Sequence, residues 1–162
     1  MLDHRIGLVA TIVISFAVLC ATASAQVLEK KTLSLAAAKK IAAAAEAEAA
    51  KNNWNVIVTV LDDGGNTIVM ERMDGAQLGS IEISHSKAMT ALSFKQPTRN
   101  MQERLKSGGS ELLSAPNILT MAGGLPINYE GKLIGAVGVS GATSDQDEQC
   151  AKAGVAAFTA QP

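Results

Sequence analysis

Aromatic residues, cysteine and histidine are scarce in this sequence. Aromatics make up 3% of the 162 residues, with one tryptophan, one tyrosine and three phenylalanines. A hydrophobic core must therefore be built mainly from alanine, valine, isoleucine, leucine and methionine. The hydrophobic share of 48% and the charged share of 18% are typical of a globular chain and not of a disordered one. The length corresponds to one domain.

The shortage of metal-ligating and nucleophilic side chains excludes several kinds of site. The histidines are His4 and His85, and the cysteines are Cys20 and Cys150. If the N-terminal segment described below is removed, one of each remains. This excludes a multi-histidine zinc site, a cysteine cluster and an intrachain disulfide. A Ser-His-Asp triad would depend on His85 alone. The formal net charge of −1, without a basic run, argues against nucleic-acid binding.

The N-terminal 25 residues have the organisation of a secretory signal peptide. A short positive region at His4-Arg5 is followed by an apolar run, and small residues at 23–25 precede a cleavage point at Gln26. A transmembrane anchor is the alternative, but the apolar run is short for a span of about 20 residues. We therefore expect a signal peptide at 1–25, a mature domain at 26–162, and a periplasmic or secreted protein without membrane contact after cleavage.

The periodicity of the apolar residues, and the turn residues between them, predict a single α+β domain. Helices are predicted at 34–52, 79–95, 98–106 and 145–157, with Ser34 as the N-cap of the first. Strands are predicted at 55–61, 67–73, 118–121, 127–129 and 133–139, with a loop across 123–126. Tight turns between successive strands imply antiparallel pairing. The first strand is apolar on both faces, so helices should cover both faces of a sheet of about five antiparallel strands.

Several short motifs occur in a characteristic order. G-G-x-P-I begins at Gly123, G-x-x-I-G-A-V-G-V-S-G at Gly131, and Q-D-E-x-x-A-x-A-G at Gln146. Upstream lie V-L-D-D-G-G-N, R-M-D-G-A and S-K-A. Together these motifs resemble the GlcG/HbpS-like family of haem-binding proteins, over residues 33–157. The resemblance implies a profilin-like arrangement and a homo-oligomer.

The resemblance also implies a function: an exported haem-binding protein used in haem or iron sensing, storage or scavenging. Haem would be non-covalent, because the sequence has no C-x-x-C-H. One alternative is a binding protein or enzyme for a short hydroxy acid, since GlcG-like genes are associated with glycolate use; glycine-rich loops would then hold the carboxylate. A structural oligomer without a ligand is the third possibility. We expect a binding protein rather than an enzyme.

The predicted ligand-binding residues fall into several chemical types. His85 is either the axial haem ligand or a packed histidine on a helix face with Ile81, Ala88 and Leu92; Tyr129 is the second candidate for iron. Arg72 and Lys87 could pair with propionates, or Arg72 could pair with Asp74 or Glu82. The glycine in the middle of the last strand predicts a close approach there. The complete set is His85, Arg72, Lys87, Met121, Gly123, Gly124, Pro126, Gly138, Ser140 and Gly141.

Two further groups have competing interpretations. Asp145 and Glu148 could bind a cation as a carboxylate pair, but they also fit a capping box, with Asp145 as N-cap and Glu148 at the third helical position. Cys150 is predicted to be a small buried residue rather than a nucleophile.

Overall fold

A four-stranded antiparallel sheet, made of two hairpins, forms the centre of the molecule. The computed structural model describes residues 29–159. Its strands are β1 (Ile57–Asp62), β2 (Thr67–Arg72), β3 (Gly124–Tyr129) and β4 (Lys132–Ser140). Their spatial order is β2-β1-β4-β3, so the two hairpins join along β1 and β4. The predicted antiparallel α+β architecture is confirmed.

The fifth predicted strand, at 118–121, is wrong, because this segment is not in a strand. Side chains satisfy its backbone donors in place of a neighbouring strand. The Leu119 N–H donates to Thr90 Oγ1 at 2.9 Å, and the Ala122 N–H donates to Gln102 Oε1 at 2.7 Å. These side-chain hydrogen bonds take the place of the backbone hydrogen bonds that a fifth strand would form.

The loop predicted across residues 123–126 is also wrong in part, because β3 already begins at Gly124. Pro126 pairs with Ala136 of β4 within this strand. Proline is compatible with a strand here because β3 lies at the edge of the sheet, where its missing N–H leaves no neighbour unpaired. The motif G-G-x-P-I is therefore an edge strand with its entry.

Within residues 29–159, four α-helices and one short 3₁₀ helix, at Ser110–Ser114, surround the sheet. The α-helices are α1 (Leu35–Lys51), α2 (Ser80–Phe94), α3 (Thr98–Lys106) and α4 (Ser144–Thr159). Ser34 is the N-cap of α1, as predicted, and its Oγ accepts a hydrogen bond from the Ala37 N–H. In the part of the chain that the structure describes, no helix has the length and apolar character needed to span a bilayer. The apolar run of the predicted signal peptide lies outside the described residues.

Helices cover both faces of the sheet, as the apolar pattern of β1 predicts. On one face, α1 and α4 pack on valines of β1 and β4, and the first core cluster includes Val58, Val60, Val137 and Val139. On the other face, α2 packs on Leu61 and Ala136. The alanines of α1 let the helices approach closely. The resulting order of layers is two helices, the sheet and one helix.

The face that α2 buries is rotated from the predicted one. Ser84, Lys87, Ala88 and Ala91 are buried, whereas Ile81 and His85 are half-buried. The cause lies in the sheet beneath the helix, where small residues allow the helix backbone to approach. The Ser84 hydroxyl shares a hydrogen bond of 2.8 Å with Thr59 of β1. This rotation places His85 at the rim of the helix–sheet interface.

Candidate functional site

An open groove runs beside His85 on the outer side of α2. One wall is the second half of α2, and the other is the loop at 116–119. The groove has a volume of about 570 Å³. Its walls are part apolar and part polar. The apolar part includes Met89, Phe94, Ile118 and Leu119, and the polar part includes His85 with Ser86, Ser93 and Asn117. We call this feature the His85 groove.

Thr90 fixes the loop that forms the second wall of the His85 groove. Its Oγ1 accepts a hydrogen bond from the Leu119 N–H at 2.9 Å and donates one to the Asn117 carbonyl at 3.5 Å. Asn117 has a φ of 56°, a left-handed conformation in which asparagine is more common than other non-glycine residues. The break at Pro116-Asn117 therefore turns the chain back onto α2.

The second candidate for iron, Tyr129, lies at a different place, at the end of β3. Its ring is partly exposed, with Lys31 above it and the Phe158 ring at its edge. It contributes to a separate depression with Ile134 and Phe158. Within residues 29–159, no group of three or more His, Cys, Asp and Glu side chains could hold a metal ion.

The predicted glycine positions lie together, but the chain's own backbone fills the space beside them. Gly124 and Gly138 pair across β3 and β4, under α2. A Cβ on Gly138 would lie 2.0 Å from the Ser84 carbonyl oxygen, and one on Gly124 would lie 2.2 Å from the Lys87 carbonyl oxygen. The close approach predicted at Gly138 is therefore that of α2. A ligand role for these glycines stays a prediction.

Lys87 is fully buried and forms an ion pair with Asp147 of α4. Its Nζ lies 2.7 Å from Asp147 Oδ2 and donates to the Val139 carbonyl at 2.9 Å. The other carboxylate oxygen of Asp147 accepts from the Ala142 N–H. Burial lowers the pKa of Lys87 and raises the pKa of Asp147, because desolvation of each charge outweighs the attraction between the two. In this structure the ammonium group is already paired inside the protein.

Arg99 of α3 forms ion pairs with Asp145 and Glu148, the two carboxylates predicted as a cation site or a capping box. Its guanidinium lies 2.5 Å from Asp145 Oδ1 and 2.5 Å from Glu148 Oε2. Hydrogen bonding from Arg99 is the main cause that lowers the pKa of Asp145. A bound cation would have to displace this guanidinium.

The capping box of α4 is formed by another pair than Asp145 and Glu148. Thr143 precedes the helix, and its Oγ1 accepts from the Gln146 N–H, while Gln146 Oε1 accepts from the Thr143 N–H at 3.0 Å. The sequence pattern T-x-x-Q gives the same reciprocal bonding as S-x-x-E. The predicted N-cap is thus wrong by two residues, and the acidic side chains of Asp145 and Glu148 pair with Arg99 instead.

The remaining predicted residues are spread over the surface and the sheet edge. Arg72 is exposed and donates two hydrogen bonds to the Ala76 carbonyl; among the described residues it forms no ion pair with Asp74 or Glu82. Ser140 is buried and donates to Ser80 Oγ at 3.2 Å. Met121 lies in the loop before β3, Pro126 lies in the edge strand β3, and Gly141 follows the end of β4.

Sequence reasoning did not identify most of the groove. The sequence assigns no site role to Met89, to Phe94 or to the loop at 116–119. A signal for the loop was present, because Pro116-Asn117 is a strong chain-reversal pair. The partner of Lys87 could not be predicted, since Asp147 is 60 residues away and lies in a different helix.

Comparison with known proteins agrees with the motifs. The family model described as "Haem degrading protein HbpS-like" matches residues 33–156. The chain is 43% identical over 132 residues to a 15.0 kDa protein of the dhaT-dhaS intergenic region of Citrobacter freundii, covering 79% of this chain and 93% of that protein. It is 42% identical over 111 residues to Protein GlcG of Escherichia coli K12, covering 68% and 83%.

Solved structures share the fold. The crystal structure of HbpS superposes with a TM-score of 0.75 at 40% identity, covering 81% of this chain and 93% of that one. The crystal structure of a PduOC–haem complex superposes with a TM-score of 0.72 at 30% identity, covering 78% and 95%.

Proposed function

The chain belongs to the HbpS-like family, and from this premise we propose that it is an exported protein that binds haem non-covalently in the His85 groove. The supporting observation is the position of His85 at the rim of α2, where it lines an open groove that also has apolar walls from Met89 and Phe94. A packed histidine would instead lie beneath the helix. The family description names haem degradation, and binding is the step that any such activity requires.

The chemistry of the groove fits a porphyrin. Haem iron takes an axial ligand from histidine more often than from most other side chains, and His85 is the single histidine among the described residues. Met89 and Phe94 offer polarizable and aromatic contacts to an apolar ring. Binding would be non-covalent, because the sequence lacks the C-x-x-C-H motif of covalent attachment.

The propionates would be held by groups other than Lys87. Lys87 is buried against Asp147, so it could reach a ligand only by breaking that pair. Arg99 is engaged by two carboxylates. Because the groove is open, we place the propionates at its solvent side, where water and exposed side chains stabilise them.

The hydroxy-acid alternative receives less support. It requires backbone N–H groups of the glycine loops to face an empty cradle. Around Gly123, Gly124 and Gly138 the neighbouring backbone leaves no such space.

Haemin titration of the mature chain tests the proposal. We expect a Soret band at stoichiometric haemin, and we expect His85→Ala to shift its maximum and weaken binding at least tenfold, about 1.4 kcal/mol. Phe94→Ala should weaken binding while leaving the Soret maximum in place, because it removes a wall and not the ligand. Tyr129→Phe is the matched control and should change neither quantity.

Two results would contradict the assignment. An unchanged Soret maximum with unchanged affinity in His85→Ala would remove His85 from the site. A changed Soret maximum or a changed haemin affinity in Tyr129→Phe alone would indicate that the iron binds at Tyr129 and not at His85. Circular dichroism melting of each variant separates loss of ligand from loss of fold.

Export and assembly belong to the same proposal. The pattern at residues 1–25 supports a mature chain that begins at Gln26, in the periplasm or outside the cell, where haem sensing, storage or scavenging would take place. Mass spectrometry of the exported protein should give that N-terminus, and an uncleaved product would contradict export. Light scattering should give a homo-oligomer, and a stable monomer at micromolar concentration would contradict assembly.

A further inference from the structure

Another depression, at the start of α4, is lined by amide side chains around Trp54. It has a volume of about 440 Å³. The residues that matter are Asn53, Trp54, Asn55, Gln77, Thr143 and Gln146, and the remaining lining residues are two glycines and an alanine. We call this feature the amide pocket. None of the residues that line it belongs to the set predicted for haem, apart from Gly141.

The chain places Trp54 there by ending α1 sharply. Asn53 has a φ of 56°, a left-handed conformation that stops the helix and that asparagine tolerates. The Trp54 N–H donates back to the Ala49 carbonyl. The indole is half-buried and packs against the first core cluster, so its position is fixed while part of it lines the pocket.

Two amides of the amide pocket are unused within residues 29–159, while the side chains of Gln77, Thr143 and Gln146 each already make one hydrogen bond. The side-chain amides of Asn53 and Asn55 form no hydrogen bond in this range. Gln146 uses its Oε1 for the capping box, and Gln77 uses its Nε2 on Ser80. Each amide carries both donors and an acceptor, so the pocket offers a mixed set of the two.

The absence of charged side chains in the lining of the amide pocket favours an uncharged ligand. The backbone N–H groups of Ala142 and Thr143, at the start of α4, already donate to Asp147 and Gln146, so they are not available to an anion. Neutral groups that both donate and accept hydrogen bonds, such as hydroxyls, match amides best. The apolar faces of a ring or carbon chain match the indole.

We propose that the amide pocket binds a neutral polyhydroxylated compound, a sugar or a polyol. The indole of Trp54 would pack against its carbon skeleton, and Asn53, Asn55, Gln77 and Gln146 would bond its hydroxyls. Pockets of this kind combine an apolar surface with a few placed polar groups. The site is independent of the haem proposal, because it shares no side chain with the His85 groove.

Because Trp54 is the one tryptophan of the chain, its indole N–H gives a single signal in a ¹⁵N–¹H spectrum. The mature protein is titrated with glucose, maltose and glycerol, and with glycolate as the charged comparison. We expect a saturable shift of the Trp54 signal with at least one neutral compound, with a Kd of about 1 mM or tighter. The sugars and glycerol distinguish a ring from an open-chain polyol.

Variants then assign the contact. Asn55→Ala and Asn53→Gly should each weaken binding at least threefold, and the latter keeps the left-handed backbone. Asn100→Ala, an exposed amide on α3, is the control and should leave Kd unchanged. Haemin affinity should be unchanged in all three. Linear, non-saturable shifts with every neutral compound, or tighter binding of glycolate, would overturn the proposal.

Discussion

At the scale of single residues, burial decides the chemistry of Cys150. The thiol is fully buried in the first core cluster, as predicted for a small apolar residue. Burial, followed by the nearby Asp147 and Glu48 carboxylates, raises the pKa of the Cys150 thiol to about 11. Since the thiolate is the reactive form, this cysteine is not suited to nucleophilic catalysis.

The raised pKa of Cys150 predicts how stability depends on pH. A group whose pKa is higher in the folded state stabilises the fold below its unfolded value of 9.0, and this contribution is lost as pH rises through about 11. The advantage of wild type over Cys150→Ala in free energy of unfolding should therefore shrink by about 1 kcal/mol or more over that window. Urea unfolding of both proteins measures it.

A chemical test accompanies the pH series. Ellman's reagent should react with Cys150 only in denaturant, because the side chain has no exposed surface in the fold. Fast stoichiometric reaction of the native protein, or a stability gap that stays constant across the window, would show that the thiol is accessible.

The features that could be predicted are those that depend on residues close together in the sequence. Ser34 as a cap, the hairpin turns and the burial of Cys150 follow from neighbouring residues. The burial of Lys87 does not, because it depends on the small residues of two strands that lie far along the chain. His85 reached the rim of α2 for the same reason: the sheet, and not the apolar stripe of the helix, sets its rotation.

At the scale of elements, α2 rests on a sheet surface made flat by glycine. Gly138 of β4 lies opposite Gly124 of β3 and Thr59 of β1. A Cβ at Gly138 would be 2.0 Å from the Ser84 carbonyl oxygen and 2.6 Å from the Ala88 nitrogen. Backbone atoms cannot move aside as the end of a flexible side chain can, so the helix as a whole would have to shift.

We therefore predict that Gly138→Ala destabilises the protein by about 3 kcal/mol, at the upper end of the usual cost of overpacking. Gly79→Ala is the matched control, because nothing lies within 4 Å of a Cβ there; it should change the free energy of unfolding by less than about 0.5 kcal/mol. Guanidinium titrations give both values. Equal effects of the two substitutions would mean that α2 is not held this closely.

Elements were easier to predict than their edges. All four α-helices occur close to their predicted places, because their apolar periodicity and caps are local. The error at 118–121 arose because an apolar run has the same pattern whether it pairs with a strand or packs as a loop. In the structure this run packs as a loop, with Leu119 bonded to Thr90 of α2 and the following Ala122 bonded to Gln102 of α3.

At the scale of the whole molecule, one buried ion pair connects the two helical layers past the end of the sheet. Lys87 comes from α2 and Asp147 from α4, which lie on opposite faces, and Lys87 also bonds the β4 carbonyl of Val139. Burying either charge costs desolvation free energy. If one partner is removed, the other charge stays buried without an opposite charge beside it. A buried pair of this type is costly to break and inexpensive to replace.

A double-mutant cycle tests this connection. Lys87→Met and Asp147→Leu should each cost about 3–5 kcal/mol, whereas the double variant should cost clearly less than their sum, because neither charge is then stranded. The exposed pair of Lys31 and Glu130, 2.5 Å apart, is the control and should show a coupling below about 1 kcal/mol. Additive effects at Lys87 and Asp147 would mean that water or another group compensates each charge, and that α2 and α4 are held by the sheet alone.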